Sequence, residues 1–129
     1  MVPPVTNTLK DKTAIVGVGA SQYFKRGRSL PQTNLELAGT AILNALGDAG
    51  LTPNDVDGFA LYSFGLDPGL IAQTLGVPEV RFTAMLTGGG GGAAGSVGLA
   101  AAAITSGMAE VVVSYMTLQQ AGLRRFGAS

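Results

Sequence analysis

The sequence predicts an α/β fold, a mostly parallel sheet packed around a buried central helix rich in glycine and alanine. Three observations carry that expectation. Short apolar runs alternate with helix-length segments, which is the order of a parallel sheet with crossover helices. No charged residue occurs between Arg81 and Glu110. Within that span, five consecutive glycines (Gly88 to Gly92) lead into AAGSVGLAAAAITSG and then AEVVVSYM, which reads as strand, glycine turn, helix and strand.

Residues 1–12 carry two prolines and no periodic apolar pattern, and read as a disordered lead-in. Residues 13–18, TAIVGV, read as a first buried strand. Gly17 and Gly19 form a Gly-x-Gly, but position 22 holds Gln22 where a dinucleotide turn needs glycine, and the next strand, GFALYSF, ends on no acidic residue. Residues 22–34 are polar and include Pro31, so they read as a loop. Thr33 and Glu36 have capping-box spacing, Leu35, Ala38, Ile42, Ala45, Leu46 and Ala49 follow helical spacing, and Gly50 is a natural stop. LTPNDVD reads as a turn and Gly58 to Ser63 as the second strand. A short helix is expected from Asp67 to Gly76, with Pro68 in its first turn, and a third strand from Val80 to Met85. Glu110 to Met116 is the fourth strand, and residues 118–129 read as a loop or the start of another element.

The central helix has no polar face, so it is expected to be buried on all sides, with residues 93–106 nearly inaccessible. Gly95 and Gly98 each cost about 0.5–1 kcal/mol against alanine, which close backbone approach would offset. Two blander readings compete. Residues 88–109 are long and uncharged enough for a membrane span, but they are mostly glycine and alanine, which favour insertion weakly. The glycines can also be only a flexible loop before a structural helix.

Composition bounds the chemistry. Of 129 residues, 47% are hydrophobic and 12% charged, against about 25% charged in typical domains. That shortage suggests that a subunit or further chain covers much of the surface. The formal net charge is zero, which gives no electrostatic argument for nucleic acid. Lys25, Arg26 and Arg28 form a short basic cluster, read as a solvated loop. The chain has no cysteine and no histidine. That excludes a disulfide framework, a Cys/His zinc site, a cysteine nucleophile and any Ser-His or Cys-His pair within it. The first twelve residues lack the apolar core of a signal peptide, so a cytoplasmic location is expected. Tyr23, Tyr62 and Tyr115 are the only phenols; Tyr62 and Tyr115 read as core. Asp55, Asp57 and Asp67 read as solvated turn residues.

Two segments resemble a known family. Residues 14–59, above all AGLTPNDVD from Ala49 to Asp57, resemble the opening of thiolase-superfamily proteins of the sterol-carrier or lipid-transfer type. AAAITSGMAEVVVSYM, Ala101 to Met116, resembles that family's buried helix and following strand. The resemblance implies that residues 13–129 are a thiolase-like N-terminal half-domain, in a family whose chains continue well beyond this length. It also implies a nucleophilic cysteine at the N-terminus of the central helix. Counting back from Ser106 and Gly107 puts that position at or beside Gly90, and no cysteine is there. With glycine in its place, covalent acyl transfer through this position is chemically impossible. The helix end keeps its backbone N–H groups, so Gly90, Gly91 and Gly92 are expected to bind a carbonyl, enolate or phosphate oxygen.

Three functions follow from the resemblance. The first is an aldolase that cleaves β-hydroxyacyl-CoA esters such as steroid side-chain thioesters, working with a small OB-fold partner protein. The second is a non-catalytic acyl-CoA or lipid-binding module. The third is an acyltransferase completed by another chain, which the missing cysteine argues against. All three imply a coenzyme A thioester as the ligand, with no metal and no bound cofactor, and this chain alone inactive. The resemblance further implies a homodimer through the strand from Val80 to Met85.

Overall fold

The computed structural model of the chain describes residues 9–25, 27–62, 66–87 and 89–119. Met1 to Thr8 of the expected lead-in, Arg26, Ser63, Gly88 and the end of the expected C-terminal loop lie outside them.

Helix α1 (Asn34–Ala49) begins and ends as its local sequence dictates. The Thr33 hydroxyl accepts from the Glu36 N–H at 3.1 Å, and Glu36 accepts from the Thr33 N–H at 3.3 Å. Gly50 closes the helix in the left-handed region, φ 72°. The turn that follows repeats the same device: Asp55 accepts the Thr52 N–H at 2.9 Å around a 3-10 turn, Pro53–Asp55. Strand β1 (Gly58–Tyr62) is buried at every position. Helix α2 (Pro68–Leu75) is capped by Asp67, whose carboxylate accepts the Gly69 N–H at 2.9 Å, and Gly76 ends it. Strand β2 (Phe82–Leu86), helix α3 (Gly91–Thr105) and strand β3 (Val112–Tyr115) complete the order.

The sheet has three strands in the order β2-β1-β3, and both pairings are parallel. Side chains of β1 alternate between two faces. Phe59 and Leu61 join Ile42 and Leu46 of α1, Ile71 of α2 and Tyr115 of β3 in the main core. Each such fully buried side chain stabilises by about 1.5–3 kcal/mol. Gly58 and Tyr62 face the other way: Tyr62 lies under the first turn of α3, and Gly58 packs beside Val112 and Ala109. The arrangement is therefore helix, sheet, helix, as an α/β fold requires.

Two expectations are corrected. Residues 13–18 are not a strand of this sheet. They lie extended along α1, where the Val18 N–H donates to Asp48 at 2.9 Å and Asn44 donates to the Ala20 carbonyl at 2.9 Å. Gly17 and Gly19 serve this crossing. A Cβ at Gly17 would meet the Ala45 carbonyl, and one at Gly19 the Ala45 amide nitrogen, so only glycine lets the two backbones touch. Held there, the segment is separated from β3 by an apolar cavity of about 560 Å³, and Ile15, Val16 and Val18 remain between 64% and 74% exposed. The second correction concerns α3. It buries one face, Gly92, Ser96, Ala100 and Ala103, against the sheet. The opposite face is open, with Val97 41% exposed. An all-apolar sequence predicts burial on every side, but here a single layer covers it.

The third strand runs Phe82–Leu86 rather than from Val80 to Met85. The Arg81 N–H donates to the Asp57 carbonyl at 2.7 Å, and pairing begins one residue later, Gly58 opposite Phe82. No helix among the described residues is long and apolar enough to cross a membrane.

Candidate functional site

Because all three strands are parallel, their carboxyl ends gather at one end of the sheet, where open α/β sheets bind ligands. The turn from β2 into α3 lies there. Gly89 has φ 90°, a conformation that side-chain-bearing residues rarely adopt. Gly90 is the N-cap of α3, with φ −61° and ψ −22°, and no side chain caps the helix. A Cβ at Gly90 or Gly91 would meet no atom within 4 Å.

Gly92 differs. Its N–H donates to the Gly89 carbonyl at 3.0 Å, and a Cβ there would lie 2.5 Å from Cδ2 of Tyr62. Of the three expected binding residues, the structure therefore brings Gly90 and Gly91 to an open helix end and makes Gly92 a packing residue. The Tyr62 ring, 4% exposed, forms the floor beneath that first turn. The positive end of the helix dipole adds to the field at the opening.

One turn further along, Ser96 is 2% exposed and its hydroxyl donates to the Ala93 carbonyl at 2.7 Å. Its lone pair is then free to accept from the Ser114 hydroxyl at 2.7 Å, which ties α3 to β3.

The other phenols stand apart from this site. Tyr115 is on the opposite face of the sheet, edge-on to Phe59 with ring centroids 6.1 Å apart. Its hydroxyl is buried without a hydrogen-bond partner among the described residues. Burial, and then the negative charge of Asp67, push its pKa up to about 12. It is a neutral phenol at physiological pH. Tyr23 sits in the exposed loop before α1.

The aspartates are structural, and one corrects the reading of solvated turn residues. Asp55 and Asp67 cap turns. Asp57 does more: its carboxylate accepts the Glu110 N–H at 3.0 Å and the Val111 N–H at 2.9 Å, and lies 3.8 Å from the Arg81 guanidinium. It gathers the amino ends of β1, β2 and β3. A lone Asp before a strand gives no sequence signal for such a clamp, because its partners lie 53 and 54 residues away. Among the described residues no group of three or more His, Cys, Asp or Glu could hold a metal ion.

The site can thus donate backbone hydrogen bonds to an oxygen, and no cysteine stands at it. Comparison with known proteins gives this geometry a context. No protein-family model matches the chain. It is 40% identical to the 17-hydroxy-3-oxo-4-pregnene-20-carboxyl-CoA lyase of Mycobacterium tuberculosis over 121 residues, which cover 92% of this chain and 30% of that protein. It is 38% identical to the steroid side-chain-cleaving aldolase of Thermomonospora curvata over 123 residues, 94% of this chain and 30% of that one. The chain therefore spans about 30% of the length of the curated relatives it matches. Among solved structures, an Ltp2-ChsH2(DUF35) aldolase superposes with a TM-score of 0.71 at 39% identity, over 87% of this chain and 29% of that one. A monomeric SCP2-thiolase-like protein from Mycobacterium smegmatis gives 0.64 at 22% identity, over 81% and 23%, a likeness of fold alone. The chain has the fold of thiolase-like proteins and is similar in sequence to the steroid side-chain-cleaving aldolases over about 30% of their length.

Proposed function

We propose that the chain forms the thioester-holding part of a retro-aldol lyase acting on β-hydroxyacyl-CoA esters such as steroid side-chain thioesters. The observation that carries this reading is the helix end at Gly90 and Gly91, open and without side chains, in a chain with no cysteine. Thiolysis needs a thiolate to accept the acyl group. Retro-aldol cleavage does not. A base takes the proton from the β-hydroxyl, the oxygen's electron pair forms the new carbonyl, and the Cα–Cβ bond breaks. The electron pair of that bond passes into the thioester as an enolate, which is then protonated at Cα. The N–H groups of Gly90 and Gly91 donate to the enolate oxygen, where one such donor is worth roughly 2.7–4 kcal/mol. Gly92 and Tyr62 hold those donors in place. The base comes from elsewhere in the assembly.

Residues 13–129 are, in this reading, the N-terminal domain of a longer intracellular polypeptide. Assembly completes it in two ways. The outer edge of β2 carries no further strand among the described residues, and an unpaired edge is a template for pairing. A second copy joined there, through β2 (Phe82–Leu86), gives a two-fold homodimer. The related aldolase structure is a complex named for a DUF35 partner, and a small OB-fold partner is proposed here as well.

The test uses the full-length protein with its partner and a panel of acyl-CoA and β-hydroxyacyl-CoA esters. Carbon–carbon cleavage of β-hydroxyacyl-CoA without added coenzyme A is the expected result, with this chain alone inactive. Coenzyme-A-dependent thiolysis, or no interaction with any CoA ester, overturns the reading. Light scattering on the same preparation should report a dimer or larger.

A further inference from the structure

Ser29 stands at the junction of two tight turns in the loop before α1. The Arg28 N–H donates to the Lys25 carbonyl at 2.9 Å, and the Gln32 N–H donates to the Ser29 carbonyl at 2.9 Å. Gly27, at φ 75°, supplies the left-handed residue of the first turn. The local sequence is KRGRSL, with cations one, three and four residues before the hydroxyl and leucine one after it. Ser29 is half-buried, and Arg28 and Leu30 on either side of it are exposed. No acidic residue occurs in the sequence between Lys12 and Glu36. Lys25 and Arg28 have no carboxylate partner among the described residues, where the ion pair is Arg81 with Asp57. A tight turn keeps its first and last Cα atoms within about 7 Å. Two cations without a carboxylate are therefore held near one hydroxyl, where an added anion attracts both.

The hydroxyl is also a tie. The Gln119 amide donates to it at 3.0 Å and to the Gln32 carbonyl at 2.6 Å. Gln119 follows the carboxyl end of β3, so this contact joins the loop to the end of the sheet where Gly90 lies. The described residues between 20 and 33 form neither helix nor strand, and such a segment opens locally at small cost.

We infer that Ser29 is a phosphorylation site for an arginine-directed protein kinase, and that the phosphate fastens the loop to the rim of the sheet. In that step the Ser29 Oγ attacks the γ-phosphorus of a nucleoside triphosphate, its proton passes to a base of the kinase, and the bond to the departing nucleoside diphosphate breaks. A kinase groove lined with carboxylates selects cations placed before the hydroxyl, as complementary charge selects partners in general. The phosphoserine carries a charge of about −1.5 to −2 and three strong acceptor oxygens. Arg28, next in the chain, and Lys25, across the turn, donate to them. The Gln119 amide keeps an acceptor in the same place. Other hydroxyls fit less well. Thr13 has lysines one and three residues before it, but Asp11 stands between them. Thr33 is engaged in capping α1.

The experiment treats the full-length protein with magnesium ATP and the catalytic subunit of cyclic-AMP-dependent protein kinase, and maps the product by peptide mass spectrometry. One phosphate on Ser29 is the expected result. Ser29→Ala should lose it, and Ser29→Thr, which keeps a hydroxyl, should retain it. In the phosphorylated protein, amide exchange at residues 27–32 and 117–119 should slow several-fold. Lys25→Gln should still accept phosphate but lose most of that slowing. No incorporation, incorporation only after unfolding, or phosphate on Thr13 with Ser29 unmodified overturns the site. Phosphate on Ser29 that leaves exchange in both segments unchanged, or quickens it, overturns the fastening.

Discussion

Neighbouring glycines of one run have opposite tolerances to substitution. Gly90→Ala should be neutral or stabilising by up to about 1 kcal/mol, since its φ of −61° suits alanine and its surroundings are open. Gly92→Ala should cost about 1–3 kcal/mol, because the new methyl collides with the Tyr62 ring. Urea unfolding of the two variants checks the contrast. Asp57→Ala leaves the two amides just before β3 without their charged acceptor, so it should cost about 2–4 kcal/mol by the same measurement. Tyr115 makes a prediction about pH. Its folded pKa, about 12, is raised from the ordinary phenol value of about 10, so the folded state keeps a proton that the unfolded state loses. The resulting stability, on the order of 2–3 kcal/mol, is fully present below pH 10 and is lost as pH rises towards 12. Tyr115→Phe should abolish that alkaline loss, and near pH 7 it should be neutral or mildly stabilising because it removes an unpartnered hydroxyl. A stability curve of the variant that still falls between pH 10 and 12 to the same extent would contradict this.

At the level of elements, legibility in the sequence followed the range of the interactions. Helix α1 could be read to the residue because Thr33, Glu36 and Gly50 act within one turn of its ends. The same holds for α2 with Asp67, Pro68 and Gly76. Residues 13–18 were misread because an apolar run specifies burial but not its partner, and the anchors on Asp48 and Asn44 are remote in sequence. The Gly-x-Gly of Gly17 and Gly19 carries no local sign of the helix backbone that both glycines touch. Helix α3 was read correctly in position and in its glycine start. Its uniform apolarity gave no periodic signal to tell the covered face from the open one. That distinction is testable. Ala103→Glu should cost several kcal/mol, since it buries an unpaired charge against the sheet. Ala94→Glu, on the exposed face, should change stability by less than about 0.5 kcal/mol. Equal melting temperatures for the two variants would mean that the buried face is wrongly assigned.

Across the whole molecule, the functional end and the anchored end of the sheet are opposite. The candidate site was legible as a glycine-rich helix start, because a helix end presents amides whatever its side chains. The packing role of Gly92 was not, because it needs the Tyr62 ring, which comes from a separate element. At the other end, one carboxylate collects β3 directly and β2 through Arg81, while the Asp57 backbone carbonyl takes the Arg81 amide. The sheet is thus fastened at its base and free at its rim, and this has a kinetic consequence. Backbone amide exchange with deuterated water should be slowest at Gly58, Glu110 and Val111 and should quicken along each strand towards Gly89 and Gly90. Asp57→Ala should flatten that gradient by speeding the base, with the rim little changed. A uniform acceleration of every amide would instead mean that the sheet opens only as one cooperative unit.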